Sequence, residues 1–198
     1  MSRMKLETVS EQEIRDIAEI FADYGFEDDE KGLYYLCRNR DRKIDFVIGY
    51  ARFCNYSNWF YTTGEAREGY ICLQMSGDKP SMRGKLAFTK GIYKSMGFLG
   101  GIKFGSDYLK AGKPIEYLLR KDGFVHIRML AVRKECQGQG VMGELLKIAF
   151  EEASRRNLPC IVSTDSAAKA ARYEHYGFKY YNKRRLSTHS IEYDLIKY

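Results

Sequence analysis

The sequence predicts an α+β fold, with helices on both faces of a sheet as in three-layer α/β proteins. Three observations carry that prediction. Short runs rich in β-branched and aromatic residues alternate with longer stretches whose apolar residues recur every three or four positions. The chain of 198 residues is 44% hydrophobic and 30% charged, the balance of a soluble globular protein. Between Phe124 and Gly143 a strand-like run passes through a glycine-rich turn into a helix-like one. One domain over residues 1–198 is expected, long enough to bury a core.

The elements follow in order. Lys5 to Val9 suits a short first strand. Ser10 and Glu13 have capping-box spacing, and Ile14, Ile17, Ala18, Phe21 and Tyr24 fall on one face of the helix they open, with Gly25 as its stop. A second helical region is expected from about Asp29, broken near Asn39–Asp41 and resuming through Ile44, Val47, Ile48 and Ala51. Trp59–Thr63 and Tyr70–Met75 form a hairpin around residues 64–69. Residues 77–123 are irregular, and their spacing predicts two short helices broken at Gly97–Gly101. The strand from Phe124 to Val132 follows. A helix with Val141, Leu145, Leu146, Ala149 and Ala153 on its apolar face runs to about Asn157. Pro159–Thr164 is a buried strand, Asp165 or Ser166 caps the next helix, and Lys179–Arg184 with His189–Ile196 make a last antiparallel pair.

The net charge is +7, and residues 78–121, with ten lysines and arginines against three acids, hold all of it. Any electrostatic role belongs to that segment: a lid over a pocket, contact with an anionic membrane surface, or a solvated face on a packed insertion. No nucleic-acid partner is expected, since no recognised module appears. The five cysteines are odd in number and widely spaced, which suits reduced thiols rather than a disulfide framework. No metal site is expected from three histidines without ligand spacing. No apolar run approaches the roughly 18 residues of a membrane span, and the opening ten residues lack a signal-peptide core. A cytoplasmic location is the expectation.

The turn Gln137-Gly138-Gln139-Gly140 is the chemical centre of the sequence. Without Cβ atoms the chain bends sharply and lets a ligand reach bare backbone, while the amides opening the next helix lack partners within it. Such a turn suits a phosphate or pyrophosphate. Gly138, Gly140 and Gly143 fit the G-x-G-x-x-G of dinucleotide binding, with Asp165 downstream. However, Arg133–Gln137 separate the motif from its strand, and only 33 residues follow Asp165. A P-loop is excluded because no Gly-Lys-Ser/Thr occurs.

Leu130-Ala131-Val132 followed by Gln137-Gly138-Gln139-Gly140-Val141-Met142 resembles the signature of the GNAT superfamily of acyl-CoA-dependent N-acetyltransferases. Met142 stands where that family prefers Gly or Ala. Tyr173-Glu174-His175-Tyr176-Gly177-Phe178 is similar to its Tyr-x-x-x-Gly-Phe. The resemblance implies a mixed, mostly antiparallel twisted sheet of six to seven strands, with the helical insertion lying between strands three and four, where family members usually have a short turn. It implies acetyl-CoA as cosubstrate. Pantetheine would lie against Leu130, Ala131 and Val132, and the pyrophosphate at Gln137, Gly138, Gln139, Gly140, Val141, Met142 and Gly143, with Ser166 nearby. Tyr173 would protonate the leaving thiolate, and an amide near Leu130 would hold the oxyanion.

The acceptor would be an amine of a small molecule or peptide. His126 is the candidate general base, because even spacing puts it on one sheet face with Val132 and its imidazole titrates near neutrality. Glu65 or a water chain are alternatives, and Arg128 on that face suits an acceptor carboxylate. Tyr34, Tyr35 and Tyr50 are candidates for the acceptor wall. A non-catalytic CoA-binding or regulatory module stays open, as does a homodimer.

Overall fold

The computed structural model describes residues 4–5, 8–23, 35–188 and 190–198. Its strands are β1 (Met4–Lys5), β2 (Phe60–Thr62), β3 (Gly69–Met75), β4 (Val125–Val132), β5 (Cys160–Thr164), β6 (Lys179–Ser187) and β7 (Ser190–Lys197). They form one seven-stranded sheet in the order β1-β2-β3-β4-β5-β7-β6. Only β4 and β5 run parallel; the other neighbours are antiparallel. The helices are α1 (Glu11–Asp23), α2 (Arg40–Tyr56), α3 (Met82–Lys110), α4 (Ile115–Leu118), α5 (Val141–Arg156) and α6 (Ala167–His175).

Alternation along the strands sorts the core into two layers. On one face Tyr70, Cys72, Met129 and Ala131 pack against α1, α2 and Phe104 of α3. On the other Ile71, Leu73, Val125, Ile127 and Leu195 pack against α5 and α6. A smaller cluster of Ile115, Leu119, Phe124, Ile161 and Ile196 seats α4 on the first face.

The capping box at α1 is present: Ser10 N donates to Glu13 Oε2 at 2.8 Å, and Glu13 N donates to Ser10 Oγ at 3.2 Å. Glu13 also accepts from Arg67 at 2.6 Å and from Tyr70 Oη at 2.8 Å. Burial alone would raise its pKa, but hydrogen bonds from Arg67, Ser10 and Tyr70 overcome that and hold it down to about 2. A carboxyl depressed in this way adds stability above its unfolded value of about 4.3, and that stability is lost as pH falls toward 2. Glu13→Gln is therefore expected to cost about 1 kcal/mol at pH 7, on the scale of a lost cap, with the gap to the parent closing on acidification to pH 2. Urea unfolding at a series of pH values checks both.

Residues 35–38 are not helical, so the part of the early helix expected there is absent. The break expected at 39–41 is a start, with Asn39 accepting from Arg42 N to cap α2. The remainder of that expected region, with Tyr34, lies outside the described residues. The insertion also differs from two short helices. It is one long helix, kinked at Gly97 (φ 73°, ψ 178°), followed by the single turn of α4. Its first half lies on α2 with almost no gap: a Cβ on Gly49 would sit 2.6 Å from Gly91 Cα. Only two glycines allow backbones that close. The outer surface of α3 stays exposed and mixes Leu86, Tyr93, Phe98, Leu99, Ile102 and Leu109 with lysines.

One irregularity positions the site. Cys72 pairs with Met129 but Leu73 pairs with Ile127, so Arg128 is an extra residue, a β-bulge in β4. The bulge reverses the alternation. His126 therefore lies on the α1–α2 face with Met129 and Ala131, opposite Val132, and the shared face expected for His126 and Val132 is corrected: even spacing fails across an inserted residue. Beyond the bulge the parallel strands part. Pairing stops at Ile127 with Val162, although both strands continue.

Candidate functional site

The gap between the parting strands opens into a cleft of about 1140 Å³. Leu130, Ala131 and Val132 of β4 line one side, and Ser163 and Thr164 of β5 the other. Cleft floors of this kind suit an extended ligand, because strand edges there offer backbone groups that no neighbour takes.

One end of the cleft meets the glycine turn. A 3₁₀ turn at Lys134–Cys136 carries the chain from β4, and Gly138 (φ 76°) and Gly140 (φ 82°) turn it into α5. A Cβ at Gly138 or Gly140 would meet nothing within 4 Å, so the loop's bare face is open. Gln137, Gly138, Gly140, Val141 and Met142 line the cleft. Met142 at the position of departure from the family motif still lies in the first turn of the helix, so the helix starts on time. Lys169 and Arg172 of α6 line the same end; Lys169 is paired with Asp165, and Arg172 adds positive charge beside the helix start. This donor set fits a diphosphate.

Three expected binding residues are not in the lining. Gln139 turns back to donate to Glu135 O at 2.8 Å. Gly143 faces the Tyr176 ring, whose nearest atom lies 3.3 Å from its would-be Cβ. Ser166 is buried and caps α6 by accepting from Lys169 N at 3.2 Å.

Tyr173 of α6 lines the cleft, half-buried, with its ring edge-on to Phe178 at 5.6 Å. Burial, then the nearby Cys160 and Asp165, push its pKa above the ordinary phenol value. The hydroxyl therefore keeps its proton at neutral pH.

The other end is closed by the insertion. Phe88, Ile92, Phe104 and Tyr108 of α3 and Glu116 of α4 face Tyr50 of α2, His126 and Arg128 of β4 and Glu192 of β7. Of the three uses open to the insertion, its inner face makes it a wall of this pocket. Tyr50 donates to Arg128 O at 3.4 Å. Tyr35 instead donates to Asp107 at 2.7 Å and does not line the cleft, and Glu65 is exposed at the hairpin turn.

His126 does line the cleft, but it is 2% exposed. Burial, then the positive Arg128 and Arg184, push its pKa well below the ordinary histidine value. The near-neutral basicity expected of it is absent. The imidazole is neutral, a hydrogen-bonding group rather than a proton store, and its Nδ1 has no partner among the described residues. Arg128, expected to suit a carboxylate, is engaged by Gln74 at 2.7 Å and Glu116 at 3.3 Å.

Two acids at this end escape a sequence reading. Glu116 sits in the insertion, where no periodicity ties it to the sheet. Glu192 is legible in hindsight. Glu192 and Asp194 alternate on one face of an inner strand, opposite Arg184 of β6, and an inner strand carries acids only for a reason. Arg184 pairs with both, at 3.0 Å to Asp194, and Ser163 donates to Asp194 at 2.7 Å. Burial raises the Glu192 pKa to about 7; Arg184 opposes that, while Asp194, Glu116 and Asp165 reinforce it.

A model of the acetyltransferase (GNAT) domain matches residues 101–180. An uncharacterized N-acetyltransferase of Schizosaccharomyces pombe is 33% identical over 78 residues, covering 39% of this chain. The match spans 31% of that relative's own length. An N-acetyltransferase from Staphylococcus aureus Mu50 has a similar structure, with a TM-score of 0.55 at 14% identity over 100% of both chains. A chain of the NatC complex bound to Gag peptide and CoA gives a TM-score of 0.51 at 17% identity, over 98% of this chain and 96% of that one. These structural likenesses are likenesses of fold.

Proposed function

We propose that this chain, whose residues 101–180 match the acetyltransferase (GNAT) domain, is a GNAT-type enzyme that transfers an acetyl group from acetyl-CoA to a primary amine by direct attack when both are bound. The observation that carries the reading is the junction of the β4–β5 gap with the open glycine turn. That junction offers strand-edge backbone and a phosphate cradle in line within one cleft. The NatC structure, of the same fold, is bound to CoA and a peptide. That pairing supports a thioester donor and an amine acceptor here.

In this reading Leu130, Ala131 and Val132 hold the pantetheine through backbone. The 137–143 turn receives the diphosphate, with Arg172 adding charge. An amide near Leu130 stabilises the oxyanion, and Tyr173 donates a proton to the leaving thiolate. His126 holds the acceptor as a neutral hydrogen-bonding group.

The test has two parts. Acetyl-CoA is expected to raise the melting temperature, and an amine panel with acetyl-CoA is expected to release thiol, followed with a thiol reagent. A melting shift with no acetylated amine would leave a non-catalytic binding module, and no measurable affinity for acetyl-CoA would end the reading. Gly140→Val gives a sharper check on the cradle. A β-branched residue at φ 82° is strained by about 1–3 kcal/mol, and its side chain fills the open face. The expected result is a Kd for acetyl-CoA raised at least about tenfold, read by calorimetry.

A further inference from the structure

Resting on the acetyl-transfer reading, we infer that the closed end of the cleft receives a singly charged primary amine on an apolar, ring-sized body, and that Glu192 is the base that takes the proton from its ammonium group.

Charge supports the first half. Among the described residues Glu116, Glu192 and Asp194 face Arg128 and Arg184, which leaves one negative charge unbalanced around a pocket whose walls are aromatic. Asp194 is fully buried and Glu192 is 6% exposed, so water screens little of that charge. One ammonium group balances it.

Hydrogen bonding points the same way. Glu116 Oε2 and His126 Nδ1 are buried, line the cleft end, and have no partner among the described residues. A carboxylate oxygen can only accept from a donor, so Glu116 awaits an N–H, and a neutral imidazole nitrogen fits beside it. An unpaired buried polar atom is costly, and a ligand's hydrogen-bonding groups would recover that cost.

The rest of the wall excludes other amines. An amino acid would bring a carboxylate, and Arg128, the lining cation there, is already held by Gln74 and Glu116. A diamine would place its second cation among Phe88, Ile92 and Phe104, where no acid among the described residues lines the cleft. The remaining lining acid, Asp165, is paired with Lys169 at 2.6 Å.

Glu192 fits the base by position and by titration. It lines the cleft on the strand next to β5, across the gap from β4. The groups around it are Arg184 of β6, Asp194 of its own strand, Glu116 of α4, Tyr108 of α3, Asp165 beyond β5, and His126 with Arg128 of β4. Together with burial they place its titration near 7, where a base can both take and release a proton. One proton passes from the ammonium nitrogen to Glu192. The freed nitrogen bonds to the thioester carbonyl carbon, and the carbon–sulfur bond breaks. Sulfur takes the Tyr173 proton, and the second proton lost by nitrogen restores Tyr173. The Glu192 proton leaves to solvent.

Three probes separate the possibilities on the wild-type chain with acetyl-CoA: phenethylamine, phenylalanine and cadaverine. We expect kcat/KM for phenethylamine to exceed the other two at least about 100-fold. Equal or better turnover of phenylalanine or cadaverine would overturn the acceptor class. Acetylation of no amine at all would be a different failure, that of the acetyl-transfer reading.

For Glu192→Gln, kcat should fall at least about 100-fold. The acid limb of the pH profile, with its midpoint near 7, should vanish, while the acetyl-CoA-induced melting shift persists. A surviving limb at that midpoint overturns the base. Glu192→Asp keeps the charge beside Arg184, so it guards against misfolding and should retain the limb at reduced kcat. Glu116→Gln keeps an oxygen for Arg128 and should raise KM for phenethylamine about tenfold with kcat within twofold. An unchanged KM would overturn its part.

Discussion

Tyr173→Phe is expected to lower kcat by about 10²–10⁴-fold, the range over which a positioned proton donor acts, and to leave the KM for acetyl-CoA within a few-fold. The phenol lies in the cleft with its proton retained, because burial, then the nearby Cys160 and Asp165, disfavour the phenolate. The phenyl ring keeps the edge-on contact with Phe178, so the melting temperature should move little. A donor-specific control follows from the chemistry. A thioester of a more acidic thiol needs less help to leave, so the gap between variant and parent should narrow with such a donor. If the gap is the same for both thioesters, Tyr173 packs the site and does not donate.

Arg184→Ala is expected to remove about 3–5 kcal/mol of stability, the loss seen when one partner of a buried ion pair is deleted. The guanidinium is 2% exposed and spans Asp194 and Glu192, both almost wholly enclosed. Without it two carboxylates share a dry pocket. For a chain of this size the melting temperature should fall by about 6–20 °C. A fall under 2 °C would show that water or a neighbour already compensates these acids. Replacing Arg184, Glu192 and Asp194 together by apolar residues of similar volume should recover most of the stability, since such clusters rarely add net stability over a packed apolar core. Activity should not return with it, and that split would locate the reason for the cluster in chemistry rather than folding.

Much of this was legible in the residues. The strand-to-turn-to-helix passage at 124–143 reads directly, because periodicity, glycine and helix start coincide there and each is local. Ser10 with Glu13, and Tyr173 ahead of Gly177, are equally local and equally legible. What failed to read depended on pairing between strands. Nothing in Val125–Val132 marks Arg128 as surplus. Only the register against Leu73 and Cys72 does, and it moved His126 to the other face. The helix break near Asn39 read as an interruption because propensity does not distinguish a cap from a kink. The acids of the closed end come from α4 and β7, 76 residues apart in the chain, so no window contains both.

The meeting of Gly49 with Gly91 divides the work within α3. Ahead of the Gly97 kink, backbone rests on backbone, and no rotamer is available there to yield. Phe104 and Tyr108 lie past it, on the stretch free of that clamp. Accommodation of bulkier or slimmer guests therefore falls to the distal arm, and an engineer wishing to retune selectivity should redraw that arm while leaving the glycine hinge-pin untouched.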